Sequence, residues 1–214
     1  MNKEYAKKIA KEILEILDNK EYKNIKLSNI LDNSKAILYN AEFNFESFQS
    51  LWSVLRLLKK QKTNIKIIKS TTIDASVDFN GCILNFASAI NPGGGFLGGS
   101  IAQEESLCRA SLLYDSLLSC QEYYTQHKKN EFNDYFYTDS MLFSSDVMII
   151  RNSNNEDIKP YYRDFLTCAA PMATSLRNSD PYTDYDSKLD EIINRRVRKI
   201  LLCMLENGHT KALL

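Results

Sequence analysis

Asn85-Phe86-Ala87-Ser88-Ala89-Ile90-Asn91-Pro92-Gly93-Gly94-Gly95-Phe96-Leu97-Gly98-Gly99-Ser100-Ile101-Ala102-Gln103-Glu104-Glu105 carries more information than any other part of this chain. Five of the seven glycines fall within residues 93–99, and seven residues separate the triple glycine from Gln103-Glu104-Glu105. Glycine lets a backbone approach a ligand closely and offer bare N–H groups, which suits a phosphate. Two adjacent carboxylates beside such a loop suit acid–base work on a group attached to that phosphate. Residues 81–87 before the loop are nearly continuously apolar, as in a buried parallel strand. From Gln103 onward, Leu107, Ala110, Tyr114, Leu117 and Leu118 share one face of a helix, with the glutamates in its first turn.

Working outward, residues 3–17 predict an amphipathic helix through Ala6, Ile9, Ala10, Ile13, Leu14, Ile16 and Leu17. Short strand-like pieces lie at 25–27 and 36–39. A helix carrying Trp52 is expected over 45–58, and the alternating, β-branched segment 64–69 reads as a strand. Residues 147–151 and 165–169 also read as strands. A helix over 186–205 ends at Asn207-Gly208, and 211–214 looks like the start of another buried strand. Residues 152–158 and 178–186 are polar loops. Alternating strands and helices indicate an α/β domain with a mixed or mainly parallel sheet.

A chain of 214 residues can bury one full core. Lysine plus arginine and aspartate plus glutamate each number 27, so no strongly basic field for nucleic acid is evident. The cysteines at 82, 108, 120, 168 and 203 are odd in number and lack a C-x-x-C pair, which reads as reduced thiols. His127 and His209 are the only histidines, which argues against a histidine-rich metal site. The first ten residues lack the apolar core of a signal peptide, and no apolar run approaches the ~20 residues of a membrane span. A soluble, cytoplasmic protein without metal or cofactor is expected.

Several motifs compete. Gly93-Gly94-Gly95-Phe96-Leu97-Gly98 matches G-x-G-x-x-G between a strand and a helix. The loop is too long for a tight dinucleotide turn, and the acidic residue about 20 positions on is Asp115, inside the helix. Gly98-Gly99-Ser100-Ile101-Ala102 lacks the final glycine of a nucleophile elbow. Glu104 and Glu105 could simply offset a helix macrodipole, but the long glycine loop before them favours a functional reading. Arg109, four residues after Glu105, is placed either to pair with it or to be solvated.

Together, Asn85-Phe86-Ala87-Ser88-Ala89, Asn91-Pro92-Gly93-Gly94-Gly95-Phe96-Leu97 and Gln103-Glu104-Glu105-Ser106-Leu107-Cys108-Arg109-Ala110-Ser111 resemble the bacterial-type poly(ADP-ribose) glycohydrolases, a macrodomain family. The N-terminal helix, Ser70-Thr71-Thr72, Val147-Met148-Ile149-Ile150-Arg151 and Thr167-Cys168-Ala169-Ala170-Pro171 are similar in the same order. The resemblance implies a macrodomain-like mixed sheet flanked by helices. Residues 1–62 would form an N-terminal helical extension packed on the domain, and 63–214 the catalytic domain. It also implies a hydrolase that cleaves the ribose–ribose bond of poly(ADP-ribose) and releases ADP-ribose. In that reading Glu105 is the acid/base and Glu104 holds ribose hydroxyls. Gly93, Gly94, Gly95 and Phe96 wrap the diphosphate, and Ser88 and Asn91 lie near the distal ribose. Thr72 to Asp74 meet the adenine, and Asn85 and Gln103 belong to the ligand-binding set. The family's strand after 211–214 leads into a second glycine-rich loop, which the sequence ending at Leu214 lacks. Either the chain is a fragment, or another chain supplies the rest, or the site binds weakly or serves another purpose, and an exposed sheet edge there would invite association with a partner chain. A non-catalytic ADP-ribose reader is the alternative from another class, and a nicotinamide-dinucleotide enzyme a third reading.

Overall fold

The computed structural model describes residues 1–43, 62–128 and 135–214, so the expected helix over 45–58 with Trp52 lies outside the described residues. Helix α1 (Lys3–Asn19) opens the chain. Asn2 caps it by accepting from the Tyr5 N–H, and Lys20 closes it in the left-handed region. A small hairpin of β1 (Glu21–Tyr22) and β2 (Ile25–Lys26) leads to α2 (Ser28–Asn33) and β3 (Ile37–Tyr39). Then come α3 (Thr72–Ser76), β4 (Cys82–Ala87), a 3-10 turn (Phe96–Gly98), α4 (Gln103–Ala110), α5 (Leu113–Leu118) and α6 (Gln121–Lys128). The chain finishes with β5 (Met141–Arg151), β6 (Asp157–Ala169), α7 (Ala173–Ser179), α8 (Asp186–Glu206) and β7 (Ala212–Leu213).

The main sheet has the order β3-β5-β6-β4-β7. β4 runs parallel to β6 and β7, while β3, β5 and β6 pair antiparallel. It is thus the mixed sheet flanked by helices that the sequence predicts. Strand alternation divides the core into two layers. Ile83 of β4 and Phe165 of β6 face α1, α4, α5 and α6, burying Ile13, Leu107, Leu117 and Tyr124 among them. Cys82, Leu84, Leu166 and Cys168 face the other way, onto Ile200, Cys203 and Met204 of α8. β3 comes from the N-terminal segment yet pairs with Met141–Phe143 as the sheet's edge, and α1 shares the first core layer. Among the described residues, no helix is long and apolar enough to cross a membrane.

Three sequence expectations change. Residues 64–69 form no strand; Ile65 and Ile67 are exposed, because the segment pairs with neither sheet edge and β-propensity alone cannot hold a strand. The helix from Gln103 does not run through to Leu118. It breaks at Ser111, whose extended backbone bridges to Ile149, while the Leu112 N–H donates to Met148 O over 3.0 Å. β3 covers only the start of β5, so the β5 edge beyond it has free backbone groups, and Ser111 and Leu112 satisfy them. Leu118, placed on the buried face, is exposed. Third, the expected loop at 152–158 is a hairpin turn whose last residues already belong to β6.

Gly99 joins α1 to the glycine loop. Its φ is +79°, and a Cβ there would meet Lys3 O at 2.5 Å and Lys7 Cγ at 2.9 Å. A left-handed conformation costs a non-glycine residue roughly 1–2 kcal/mol before any clash. Gly99→Ala is therefore expected to lower stability by at least about 1–2 kcal/mol in urea unfolding, whereas Gly98→Ala, with open space around it, should cost much less.

Candidate active site

The site forms at the C-terminal end of β4, where a long loop carries the chain to α4. Ligands in open α/β sheets gather at such strand ends. The turn at Ser88 is closed by its own hydroxyl, which accepts from the Ile90 and Asn91 N–H groups over 3.3 and 3.1 Å. Gly93 and Gly94 then take φ of +67° and +59°, which folds the loop back over the start of α4. A Cβ on Gly94 would lie 2.6 Å from Glu105 Oε1 and 2.9 Å from Glu104 Oε2, so only glycine fits between the loop and the two carboxylates.

Both glutamates are nearly closed from solvent, at 3% exposure for Glu104 and 7% for Glu105. Glu104 Oε2 accepts from the Ser88 N–H over 2.8 Å and Oε1 from Asn85 Nδ2 over 3.3 Å. Burial pushes the Glu104 carboxyl up to about 7, with the neighbouring Glu105 charge pushing the same way and the bonds from Ser88 and Asn85 opposing. Glu105 Oε1 accepts from the Gly95 N–H over 2.8 Å, while its Oε2 is buried with no hydrogen-bond partner. One carboxylate is thus held at both oxygens and the other at one. An unpartnered buried oxygen commonly costs ~1–3 kcal/mol, a strain that functional groups tolerate.

The remaining expected residues divide. Gln103 is drawn into β4: Nε2 donates to Leu84 O over 2.8 Å, and the Phe86 N–H donates to Oε1 over 2.9 Å. Asn85 is fully buried; its amide reaches Glu104 and, over 3.2 Å, Thr167 Oγ1. Asn85 and Thr167 face each other in the β4–β6 register, so the sheet itself sets this contact. Phe96 buries its ring against Tyr114, with centroids 4.9 Å apart, leaving only its backbone toward the loop. The N–H groups of Gly94, Gly95 and Phe96, expected bare for a phosphate, bond to Asn91 O, Glu105 Oε1 and Gly93 O. Thr72 and Asp74 lie on α3, which packs against α4. The Asp74 carboxylate accepts from Ser153 Oγ and Thr71 Oγ1, and the Ser153 bond leads in holding it below its usual range.

Arg109 matches neither alternative read from its spacing. It is wholly buried and not solvated, and its direct bonds go from NH1 to Ser100 O over 2.6 Å and from NH2 to Ser106 Oγ over 3.1 Å. Burial lowers its pKa, and the Glu105 charge partly restores it. It fastens the far end of the glycine loop to α4. Its i+4 spacing from Glu105 marked the face, and what it bonds depended on the loop's path. Thr167 beneath Asn85 also escaped sequence reading, because only the strand register pairs them.

A parallel strand, a glycine loop and two buried carboxylates in the next helix's first turn define a macrodomain-like α/β fold with an acidic site at the strand end. The family described as "Microbial-type PARG, catalytic domain" matches residues 10–152, more than half of the chain, and the chain belongs to that family. The poly(ADP-ribose) glycohydrolase of Thermomonospora curvata is 27% identical, with a TM-score of 0.81 over 99% of this chain and 79% of that one. The same enzyme bound to the inhibitor ADP-HPD gives 28% and 0.80, over 99% and 78%. The Deinococcus radiodurans poly(ADP-ribose) glycohydrolase in complex with ADP-ribose gives 29% and 0.75, over 89% and 76%. No curated protein matches the chain.

The raised Glu104 pKa makes stability depend on pH in a stated direction. The fold favours its protonated form, so this group's contribution is fully present below its ordinary value of 4.5 and is lost as pH rises to about 7. Melting temperatures of the native chain and Glu104→Gln, measured in parallel from pH 5 to pH 8, should therefore diverge, the native chain losing ground as pH rises. A constant difference would mean that the carboxyl titrates normally.

Proposed function

We propose that the chain hydrolyses the ribose–ribose O-glycosidic bond of poly(ADP-ribose) and releases ADP-ribose, with Glu105 as acid and then base. The observation that carries this reading is the asymmetry of Glu105: Oε1 is fixed by the Gly95 N–H, and Oε2 is held by nothing. Fixing one oxygen orients the carboxyl, and the other is left to carry the proton. Cleavage passes through an oxocarbenium-like transition state, in which the leaving ribose oxygen needs a proton and the arriving water must lose one. A single carboxyl beside the scissile bond serves both in turn. Glu104, with lone pairs beyond those engaged by Ser88 and Asn85, holds ribose hydroxyls. Because Oε2 is closed off here, substrate reaches it when the backbone at Gly93 and Gly94 shifts, with Gly95 kept on Oε1 and Gly99 under α1, and glycine gives that backbone its freedom.

In this reading the diphosphate lies along Gly93 to Phe96, Ser88 and Asn91 meet the distal ribose, and Thr72 and Asp74 border the adenine. Unpaired thiols at all five cysteines fit a cytoplasmic setting. A second reading, ADP-ribose binding without turnover, draws support from the enclosed Oε2 and from the engaged loop N–H groups. Removing a catalytic acid/base commonly lowers rate ~10²–10⁴-fold. Glu105→Gln should lose polymer cleavage by that factor while keeping its melting temperature and its calorimetric affinity for ADP-ribose. Tight ADP-ribose binding by the native chain without polymer cleavage would favour the binding reading, and undiminished turnover in Glu105→Gln would remove Glu105 from the mechanism.

A further inference from the structure

The carboxamide of Gln103 bridges two backbone groups of β4. β4 lies between β6 and β7, and peptide groups in a strand point alternately to its two neighbours. On the β7 side, the Cys82 N–H donates to Lys211 O over 3.1 Å, and β7 pairs only with Cys82 and Ile83. The next groups on that side are the Leu84 carbonyl and the Phe86 N–H, and these two are bonded by Gln103 Nε2 and Oε1. In a parallel ladder, a residue bonds to the carbonyl before and the N–H after the residue it faces. The Gln103 carboxamide therefore makes the two bonds that the N–H and C=O of a strand residue facing Asn85 would make, and the Asn85 side chain holds Glu104.

We propose that Gln103 is a positioning residue whose carboxamide bridges Leu84 O and the Phe86 N–H, locks the first turn of α4 to the strand end and thereby sets Glu104 and Glu105, taking no part in holding ligand. The inference rests on the acid–base reading of Glu105 for its kinetic consequence, but its structural part stands on the two hydrogen bonds. Both are near-ideal in length, and the amide that makes them has each end engaged. Ala102, the residue before the helix, offers no side-chain cap, so Gln103 provides the anchor that a capping side chain usually gives.

The test uses the full chain and three readouts: NMR hydrogen exchange at the Phe86 amide, calorimetric ADP-ribose affinity, and kcat with KM for polymer cleavage. In Gln103→Met, exchange at Phe86 should accelerate, kcat should fall roughly 10- to 100-fold through misplacement of the carboxyl, and affinity should stay within about threefold. Gln103→Glu keeps length and the acceptor for Phe86 but turns a carboxylate toward Leu84 O. Its kcat relative to the native chain should recover as pH falls and the introduced carboxyl regains a donor. It also keeps the inference testable if the methionine variant does not fold. Unchanged Phe86 exchange, or a tenfold loss of ADP-ribose affinity with kcat preserved, would overturn the proposal and make Gln103 a ligand contact. A native chain that cleaves no polymer would reject the acid–base reading instead, while exchange and affinity would still decide the role of Gln103.

Discussion

The Gly95 N–H donates to Glu105 Oε1 over 2.8 Å, and the surrounding structure is arranged so that this contact can exist. An intramolecular hydrogen bond is worth about 0.5–1.5 kcal/mol net, and here it must be made inside a closed site. That requires the loop to descend onto the first turn of α4. Left-handed backbone at Gly93 and Gly94 brings it down, and the missing Cβ at Gly94 leaves room for both carboxylates. The loop's far end is then fixed twice, by Arg109 on Ser100 O and by α1 against Gly99.

Charge inside this small volume is limited. Two carboxylates and one guanidinium are buried together, and no side chain of α4 can escape to solvent from those positions. Burial, and to a lesser degree the Glu105 charge beside it, favour a proton on the Glu104 carboxyl toward neutral pH. Glu104, anchored at both oxygens and raised to about 7, is the group on which the fold favours that proton. Arg109 adds a positive charge from beneath without a direct carboxylate bond, which moderates the repulsion and leaves Glu105 Oε2 unengaged. The two glutamates, neighbours in sequence, thus occupy different environments, a condition for dividing binding from proton transfer.

The parts of this arrangement legible in the sequence were those set by local pattern. The apolar run at 81–87, the glycine cluster and the periodic helices gave the α/β class, and the spacing to Gln103-Glu104-Glu105 located the site. What stayed hidden was fixed by pairing across the chain. Ser111 leaves the helix because β5 has an unpaired edge beside it, and residues 64–69 form no strand because no edge receives them. The partners of Asn85 and Gln103 within the protein were likewise not visible locally: the β4–β6 register brings Thr167 to Asn85, and the path of the loop brings Gln103 to Leu84 O and the Phe86 N–H. Arg109 followed the same rule.

The seven-residue spacing between Gly95 and Gln103 also acquires a physical reason. After Gly95 the chain must turn away from the carboxylates, and it does so in one 3-10 turn, Phe96–Gly98, whose ring anchor is buried against Tyr114. Gly99 then reverses the path in the left-handed region beneath α1, and Ser100 presents its carbonyl to Arg109. Ile101 and Ala102 return the chain to β4, where Gln103 joins the strand edge. The two ends of this excursion are both fixed, one at Glu105 Oε1 and the other at Leu84 O and Phe86 N–H. A shorter connection would have to release one of them. Losing the first frees the carboxyl meant to be oriented, and losing the second lets the helix carrying both carboxyls drift from the strand end. The glycines and the Gln-Glu-Glu triplet therefore act as one unit, with the spacing between them set by where the two anchors lie.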